Sequence, residues 1–502
     1  IEVIYVSTVI VSQDELLRYN SLVSKLKNRI AEMGIEAGHP LVYHVKTYGC
    51  QLNESDSEKI EGILRDIGLS EASEDQDPDF LILNTCTIRE NADVRLFGNL
   101  GAYKPMKKQN RNMFIAVCGC MMKQPENVER IKKSFPYVDA CFGPSDIHLL
   151  PEILDKKLSQ RKRVFSVSEE DYLVDDNDMP VERKRKFRAL VPIMYGCNNF
   201  CTYCVVPYTR GRERSRSSEQ ILKQLSDLAN EGFKEVMLLG QNVNSYGNDK
   251  EGEISFSQLL EETAKIPGFS RIRFMTSHPK DISPEVIYTM KKYPNIERHL
   301  HLPMQSGSST VLKRMNRHYD QEQYLKTALL FRKELPDATL TTDIIVGFPG
   351  ETEEDFQATL DVVKKCRFDS AFTFQYSRRP GTKAASYEDQ IPQDVVTVRF
   401  GRLLALQNDL TFKSNESVVG KTEEILIEGK SATAPDVLTG RTNSNRLVNF
   451  KIPKGTMYKG KAIDAESPDF DADQFEGLLA LVKILKAKPY SVEGELESFI
   501  DE

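Results

Sequence analysis

No apolar run in this 502-residue chain reaches the roughly 18 residues needed to cross a bilayer. A membrane-spanning helix is therefore not expected, nor a membrane partner. The opening segment, residues 1–11, is apolar but has no basic flank, which makes it a poor signal peptide. Positive charge is not in excess: 67 Lys and Arg stand against 74 Asp and Glu, a net charge of −7. That excludes a globally basic nucleic-acid coat but not a local basic patch. Hydrophobic residues at 40% with charged residues at 28% exclude a disordered chain. A soluble, cytoplasmic protein of about three domains is the expectation. Nine cysteines is an odd number in a chain without an export signal. A disulfide framework is not expected; metal-binding or reactive thiols are.

The pattern divides the chain into segments. Residues 1–40 form an extension to which no role is assigned, with a polar helix predicted over 13–33. Residues 41–165 alternate strands (42–48, 80–83, 113–117) with helices (53–67, 89–107, 128–135), and Asn53 is the predicted N-cap of the first. This predicts a parallel α/β sheet. Residues 166–188 read as a linker, acidic and then basic. Residues 189–410 hold six βα units, with strands at 190–194, 235–239, 272–275, 299–302, 341–346 and 371–376. Six units in place of eight predict a barrel open on one side. Short β-like runs at 424–428, 437–442 and 447–451 predict a small all-β module over 415–485. The text after Ser467 reads as acidic and then helix-like, and 486–502 as a tail. The fold class is thus α/β with a small all-β domain at the end.

Cys197, Cys201 and Cys204 stand in C-x3-C-x2-C spacing after the first barrel strand, where active-site loops lie. A fourth local ligand is lacking: the nearest histidines are His148 and His278. Structural zinc takes four ligands, and catalytic zinc three plus water. Three cysteines instead suit a 4Fe–4S cluster with one open iron, and zinc is the alternative. Cys50, Cys86 and Cys120 each follow a predicted strand of the first sheet, 36 and 34 residues apart. Strand ends of an open sheet lie along one edge, so these cysteines are placed to converge on a second cluster, or else to pack there. Cys118, Cys141 and Cys366 read as core.

The text around these cysteines resembles the radical S-adenosylmethionine (SAM) superfamily, and within it the methylthiotransferase family. The likeness rests on Tyr48-Gly49-Cys50-Gln51-Leu52-Asn53, Asn84-Thr85-Cys86, Gly119-Cys120, Tyr195 to Cys204, the following run to Arg216, and Gly240-Gln241-Asn242-Val243-Asn244. It continues through Ser277-His278-Pro279, Leu302 to Ser308 and Gly347-Phe348-Pro349-Gly350-Glu351. The resemblance implies two 4Fe–4S clusters and SAM as cofactors. Cys50, Cys86 and Cys120 would hold the auxiliary cluster, and Cys197, Cys201 and Cys204 the SAM cluster. The run Cys-Val-Val-Pro-Tyr-Thr-Arg-Gly-Arg-Glu is most similar to the branch acting on N6-isopentenyladenosine beside the anticodon of tRNA. Other branches act on threonylcarbamoyl adenosine or on a ribosomal-protein aspartate. A zinc- or RNA-binding protein without enzyme activity is the reading from a different class. The likeness also implies an electron donor such as a flavodoxin or ferredoxin, and a sulfur source.

Contacts to SAM are expected from Tyr203, at the family's aromatic position, and from Ser277, Gln305 and Asp343 at strand ends. The Gly347 to Gly350 turn, with Pro349, adds backbone that a ligand can approach closely. Contacts to tRNA are expected from Arg210, Arg212, Arg214 and Arg216, since guanidiniums bind phosphate and stack on bases. Arg441 and Arg446 are expected to do the same in the last module, which resembles the family's RNA-binding TRAM domain. Its acidic stretch, 466–473, would repel phosphate.

Overall fold

The computed structural model describes residues 8–87, 90–168, 171–173, 179–432, 434–465, 467 and 470–500. Its first layer is a parallel sheet in the order Ser70–Glu71, Val42–Thr47, Phe80–Thr85, Phe114–Gly119, Ala140–Phe142 and Val164–Ser166. Phe80–Thr85 and Phe114–Gly119 are buried at every position because helices cover both faces. The two-residue edge strand and the strands at 140–142 and 164–166 were too short to be read from the sequence.

The first helix, Gln13–Ala37, opens on a capping box: Ser12 accepts from the Glu15 amide, and Glu15 reaches back to Ser12. Tyr19, Val23, Leu26 and Ile30 recur at helical spacing and enter the core of the sheet domain. Thr8–Ile10 pairs with Asp171–Leu173. From residue 8 onward, the expected extension is therefore part of this domain. The next helix, Gln51–Asp66, begins earlier than predicted. Cys50 is its N-cap in extended backbone, and Asn53 sits one turn in, accepting from the Cys50 amide at 3.4 Å. The basic half of the expected linker docks on this helix: Lys184 pairs with Glu61 at 2.7 Å, and Arg183 lies 3.7 Å from Glu58.

The central domain has six parallel strands in chain order. Arg188–Pro192, Glu235–Leu239 and Arg271–Phe274 form one sheet, and His299–His301, Thr339–Val346 and Ser370–Gln375 another. A parallel bridge between Ile272 and Ile296 joins them. The expected open barrel is thus present, with helices such as Ser218–Asn230 and Pro284–Lys292 connecting its strands. The 24-residue helix Gln393–Glu416 was not anticipated. Val191, Val236 and Leu238 pack toward the outer helices. By alternation Leu190, Met237 and Leu239 face inward, where they meet Leu52 of the first domain. Arg379, beyond the last strand, donates to the Thr87 carbonyl. The first domain thereby spans the open side of the barrel.

A closed five-stranded barrel ends the chain, in the order Thr422–Ser431, Ala434–Thr442, Leu447–Lys451, Val492–Phe499 and Leu479–Ala487. The helix-like reading after residue 467 and the tail over 486–502 are both corrected here. Ala480, Val482 and Ile484 are buried alternately, a period of two. Val492–Phe499 closes the ring by parallel pairing with Leu447–Lys451. The turn at 442–446 seals the lower end of the central barrel. There Arg298 N donates to Asn443 O at 2.7 Å and Thr339 Oγ1 to Ser444 O at 2.6 Å.

Candidate active site

Three neighbouring strands of the first sheet deliver Cys50, Cys86 and Cys120 to one edge. Cys86 follows Thr85 directly, Cys120 follows Gly119, and Cys50 caps the helix after Val42–Thr47. The Cys50 and Cys86 thiols are in hydrogen-bond contact. That contact, with help from the Arg210 charge, pulls Cys50 down to about 6 against the rise caused by burial. Burial pushes Cys120 up. Two asparagines tie the loops together: Asn53 Nδ2 donates to Thr85 O at 3.1 Å, and Asn84 Nδ2 to Asn53 O at 2.9 Å. The sequence reading made Asn53 only a helix N-cap and gave Asn84 no role, although both flank the cysteines in the quoted motifs. Cys118, Cys141 and Cys366 are buried in apolar clusters, as expected.

The second cysteine group lies on the loop after the first barrel strand. Gly196 has φ +77°, and a Cβ there would stand 1.8 Å from the Arg212 carbonyl oxygen. Only glycine permits this approach, which lets Cys197 N donate to Gly211 O at 3.1 Å. Each sulfur has a donor: Asn199 Nδ2 at 3.4 Å from Cys197, Arg317 Nη1 at 3.3 Å from Cys201, and the Val206 amide at 3.4 Å from Cys204. Burial pushes Cys197 up to about 11 and Cys204 to about 12. A cationic group bound between them would deprotonate both. Among the described residues, no three His, Cys, Asp or Glu side chains converge as they would round one ion. A set of three sulfur donors suits a 4Fe–4S cluster with one open iron, whereas structural zinc takes four ligands and catalytic zinc three plus water. A cavity of about 310 Å³ behind the loop is lined by Cys201, Cys204, Tyr208, Arg314 and Asn316.

The expected SAM contacts divide. Tyr203 lies beside the cysteines, its hydroxyl 3.5 Å from Arg317 Nη1 and its ring edge-on to Phe348. The Ser277 hydroxyl is buried with no hydrogen-bond partner among the described residues, as are Gln241 Oε1, Asn242 Oδ1, both polar atoms of the Asn244 amide and His278 Nε2. Unpaired buried polar groups are costly. This cluster at the ends of two barrel strands fits a polar ligand such as the amino-acid part of SAM. The signal for it was the polar run 241–244 directly after a buried strand. Gln305 holds φ +67° and donates its amide to Asp343 O at 2.7 Å, while the Asp343 carboxylate lies 3.5 Å from His301. The turn at 347–350 is explained without a ligand. A Cβ on Gly347 (φ +78°) would meet Val396 Cγ2 at 2.4 Å, and the Pro349 carbonyl accepts from Arg314 at 3.1 Å. The close approach there is to helix Gln393–Glu416, and this packing accounts for glycine at 347.

The arginines expected on tRNA are mostly buried. Arg210 is 5% exposed, Arg214 5% and Arg216 2%. Arg210 donates to Cys120 Sγ at 2.9 Å and pairs with Asp56 at 2.7 Å. Arg214 donates to the carbonyls of Arg210 and Arg212, and Arg216 to Pro192 O and Gln224. These three brace the cysteine loop and do not face solvent. Arg212 is half-buried, stacked over Phe200 at 4.3 Å, and remains a candidate for nucleic acid. Arg441 pairs with Glu428 at 3.3 Å, and Arg446 with Asp369 at 3.3 Å. Arg446 joins the last barrel to the central one, Arg441 is held within the last barrel, and neither is a free phosphate ligand.

Residues 191–363 match the radical SAM superfamily, and residues 42–143 the uncharacterized protein family UPF0004. A tRNA-2-methylthio-N(6)-dimethylallyladenosine synthase of Acetivibrio thermocellus is 45% identical over 486 residues, 97% of each chain. Synthases of the same name from Clostridium botulinum (strain Okra) and Clostridium tetani are 47% and 46% identical, over 90% of this chain and 96% of theirs. With this identity over nearly the whole length, the chain belongs to the radical SAM methylthiotransferase family, alongside these tRNA-2-methylthio-N(6)-dimethylallyladenosine synthases.

Proposed function

We propose that this protein adds a methylthio group to C2 of N6-isopentenyladenosine beside the anticodon of tRNA, giving the 2-methylthio derivative. One observation carries the reading. Two separate three-cysteine groups lie at strand ends of adjoining domains, in a chain whose relatives bear the name of that reaction. Cys197, Cys201 and Cys204 would hold the SAM cluster, and Cys50, Cys86 and Cys120 the auxiliary cluster. When bound, these groups supply an electron to the sulfonium of SAM and a site for the sulfur to be transferred.

The chain's own residues bind, orient and exclude water. Arg317 donates to Cys201 and to the Pro303 carbonyl, fixing the loop against the barrel. The buried amides of 241–244 and the Ser277 hydroxyl offer unsatisfied donors and acceptors to the amino and carboxylate groups of SAM. Phe348, Tyr376 and Tyr387 pack behind Tyr203 and keep that side of the site dry. The last barrel is read as a TRAM-like RNA-binding module. Its exposed Lys430, Lys451, Lys461 and Lys486 replace Arg441 and Arg446 as phosphate partners. Among the described residues no helix is long and apolar enough to cross a membrane. A cytoplasmic location, an electron donor of the flavodoxin or ferredoxin kind and a sulfur source belong to the same proposal.

The test is anaerobic reconstitution to about eight irons per chain, incubation with SAM, reductant and isopentenylated tRNA, and mass analysis of the nucleosides. The expected product is 2-methylthio-N6-isopentenyladenosine. An unchanged tRNA, together with a mass gain on ribosomal protein, overturns the assignment.

A further inference from the structure

We propose that Arg210 is a positioning residue for the N-terminal cysteine group. It anchors Cys120 to the central domain and favours the reduced state of the cluster held there. The inference rests on assigning Cys50, Cys86 and Cys120 as cluster ligands.

Three contacts place Arg210. Its Nε donates to Cys120 Sγ at 2.9 Å, and its Nη2 lies 2.7 Å from Asp56 Oδ2. Its own carbonyl accepts two bonds from the Arg214 guanidinium at 3.2 Å. Asp56 lies on Gln51–Asp66, the helix that Cys50 caps. Arg210 itself ends the short helix Val206–Thr209 that follows Cys204. From the loop of the other group, one buried guanidinium thus touches a sulfur of the first group and the helix of a second cysteine in that group.

A buried guanidinium is costly unless its charge is met. Asp56 meets it once. A cluster-bound Cys120 thiolate adds further negative charge, and one-electron reduction adds another. An N–H···S bond and a nearby cation stabilise the more negative state of such a group, so they raise its reduction potential. Asp56 acts in the opposite sense. The Cys201 group differs: Arg317 reaches Cys201, Tyr203 and Tyr319 and the Pro303 carbonyl, with no carboxylate partner among the described residues.

The experiment uses the full chain carrying Cys197→Ala, Cys201→Ala and Cys204→Ala, so that only the N-terminal group can hold a cluster. Reduction potentials are read by titration followed with electron paramagnetic resonance. Arg210→Gln should lower the potential at unchanged iron content, Arg210→Lys should recover part of the shift, and Asp56→Asn should raise the potential. Unchanged potentials, or shifts of Arg210→Gln and Asp56→Asn in the same direction, overturn the proposal. If Arg210→Gln yields no folded protein, Asp56→Asn decides alone, and an unchanged or lowered potential overturns it. A parent triple variant that takes up no iron overturns the ligand assignment itself, a failure visible before any Arg210 variant is made.

Discussion

Asn445, in the turn of the last barrel, accepts a hydrogen bond from Arg273 of the central barrel at 3.0 Å. Arg273 is 2% exposed and also pairs with Glu235 at 2.8 Å, and Asn445 donates to His299 at 3.3 Å. The lower end of the central barrel is thus closed by a buried charged network that borrows a side chain from another domain.

This relationship predicts shared stability. Asn445→Ala removes the partner of a buried guanidinium and places alanine at φ +63°. A loss of about 2–3 kcal/mol is expected from the two effects together. Asn445→Gly keeps the backbone relaxed and should cost less. Urea denaturation of both variants checks the order; equal losses would show that the backbone conformation contributes nothing.

Gly196→Ala should block formation of the second cysteine group without unfolding the first. The added methyl would overlap the Arg212 carbonyl and push the Cys197 loop away from Gly211. Reconstituted protein is expected to hold about half the iron of the parent. Full iron content in this variant would contradict the close approach described above.

Gly347→Ala should destabilise through its clash with Val396, and Val396→Ala should relieve part of that loss. In a double-mutant cycle the pair is expected to be coupled by about 1 kcal/mol or more. Additive melting shifts would instead point to a role for Gly347 outside packing.

Stability should also depend on Glu61. Burial raises its carboxyl from the ordinary 4.5 to about 7, with Lys184 pulling the other way. The folded protein therefore binds more protons than the unfolded chain between those values. Stability falls as pH rises through that window, by at most about 3 kcal/mol. Glu61→Gln removes this dependence while Lys184 keeps Glu71 at 2.9 Å. Melting temperatures between about pH 5 and pH 8 should fall less steeply in the variant; parallel curves would refute the assignment.

The main strands of the first two domains and both three-cysteine patterns could be read because their signals are local, whereas the helix Gln393–Glu416 was not. A buried strand followed by Gly-Cys or Thr-Cys marks its own end, and C-x3-C-x2-C needs no tertiary context. The arginines after Cys204 were misread for the opposite reason. A run of guanidiniums looks like a phosphate site until one knows that Asp56, Pro192 and Gln224 wait for them elsewhere in the chain. Gly347 was misread in the same way, since its reason lies 49 positions on, at Val396. The last two strands pair with each other as a hairpin, but their outer partners are distant: Leu479–Ala487 pairs with Thr422–Ser431, and Val492–Phe499 with Leu447–Lys451.

That final pairing has a consequence for biosynthesis. The strand that closes the last barrel, Val492–Phe499, leaves the ribosome after every other strand of the three domains. Until it emerges, the ring that carries the 442–446 turn is open. The Arg273 network at the foot of the central barrel then lacks a settled cover. Assembly of the earlier domains can begin during translation, but their lower seal waits for this strand to pair.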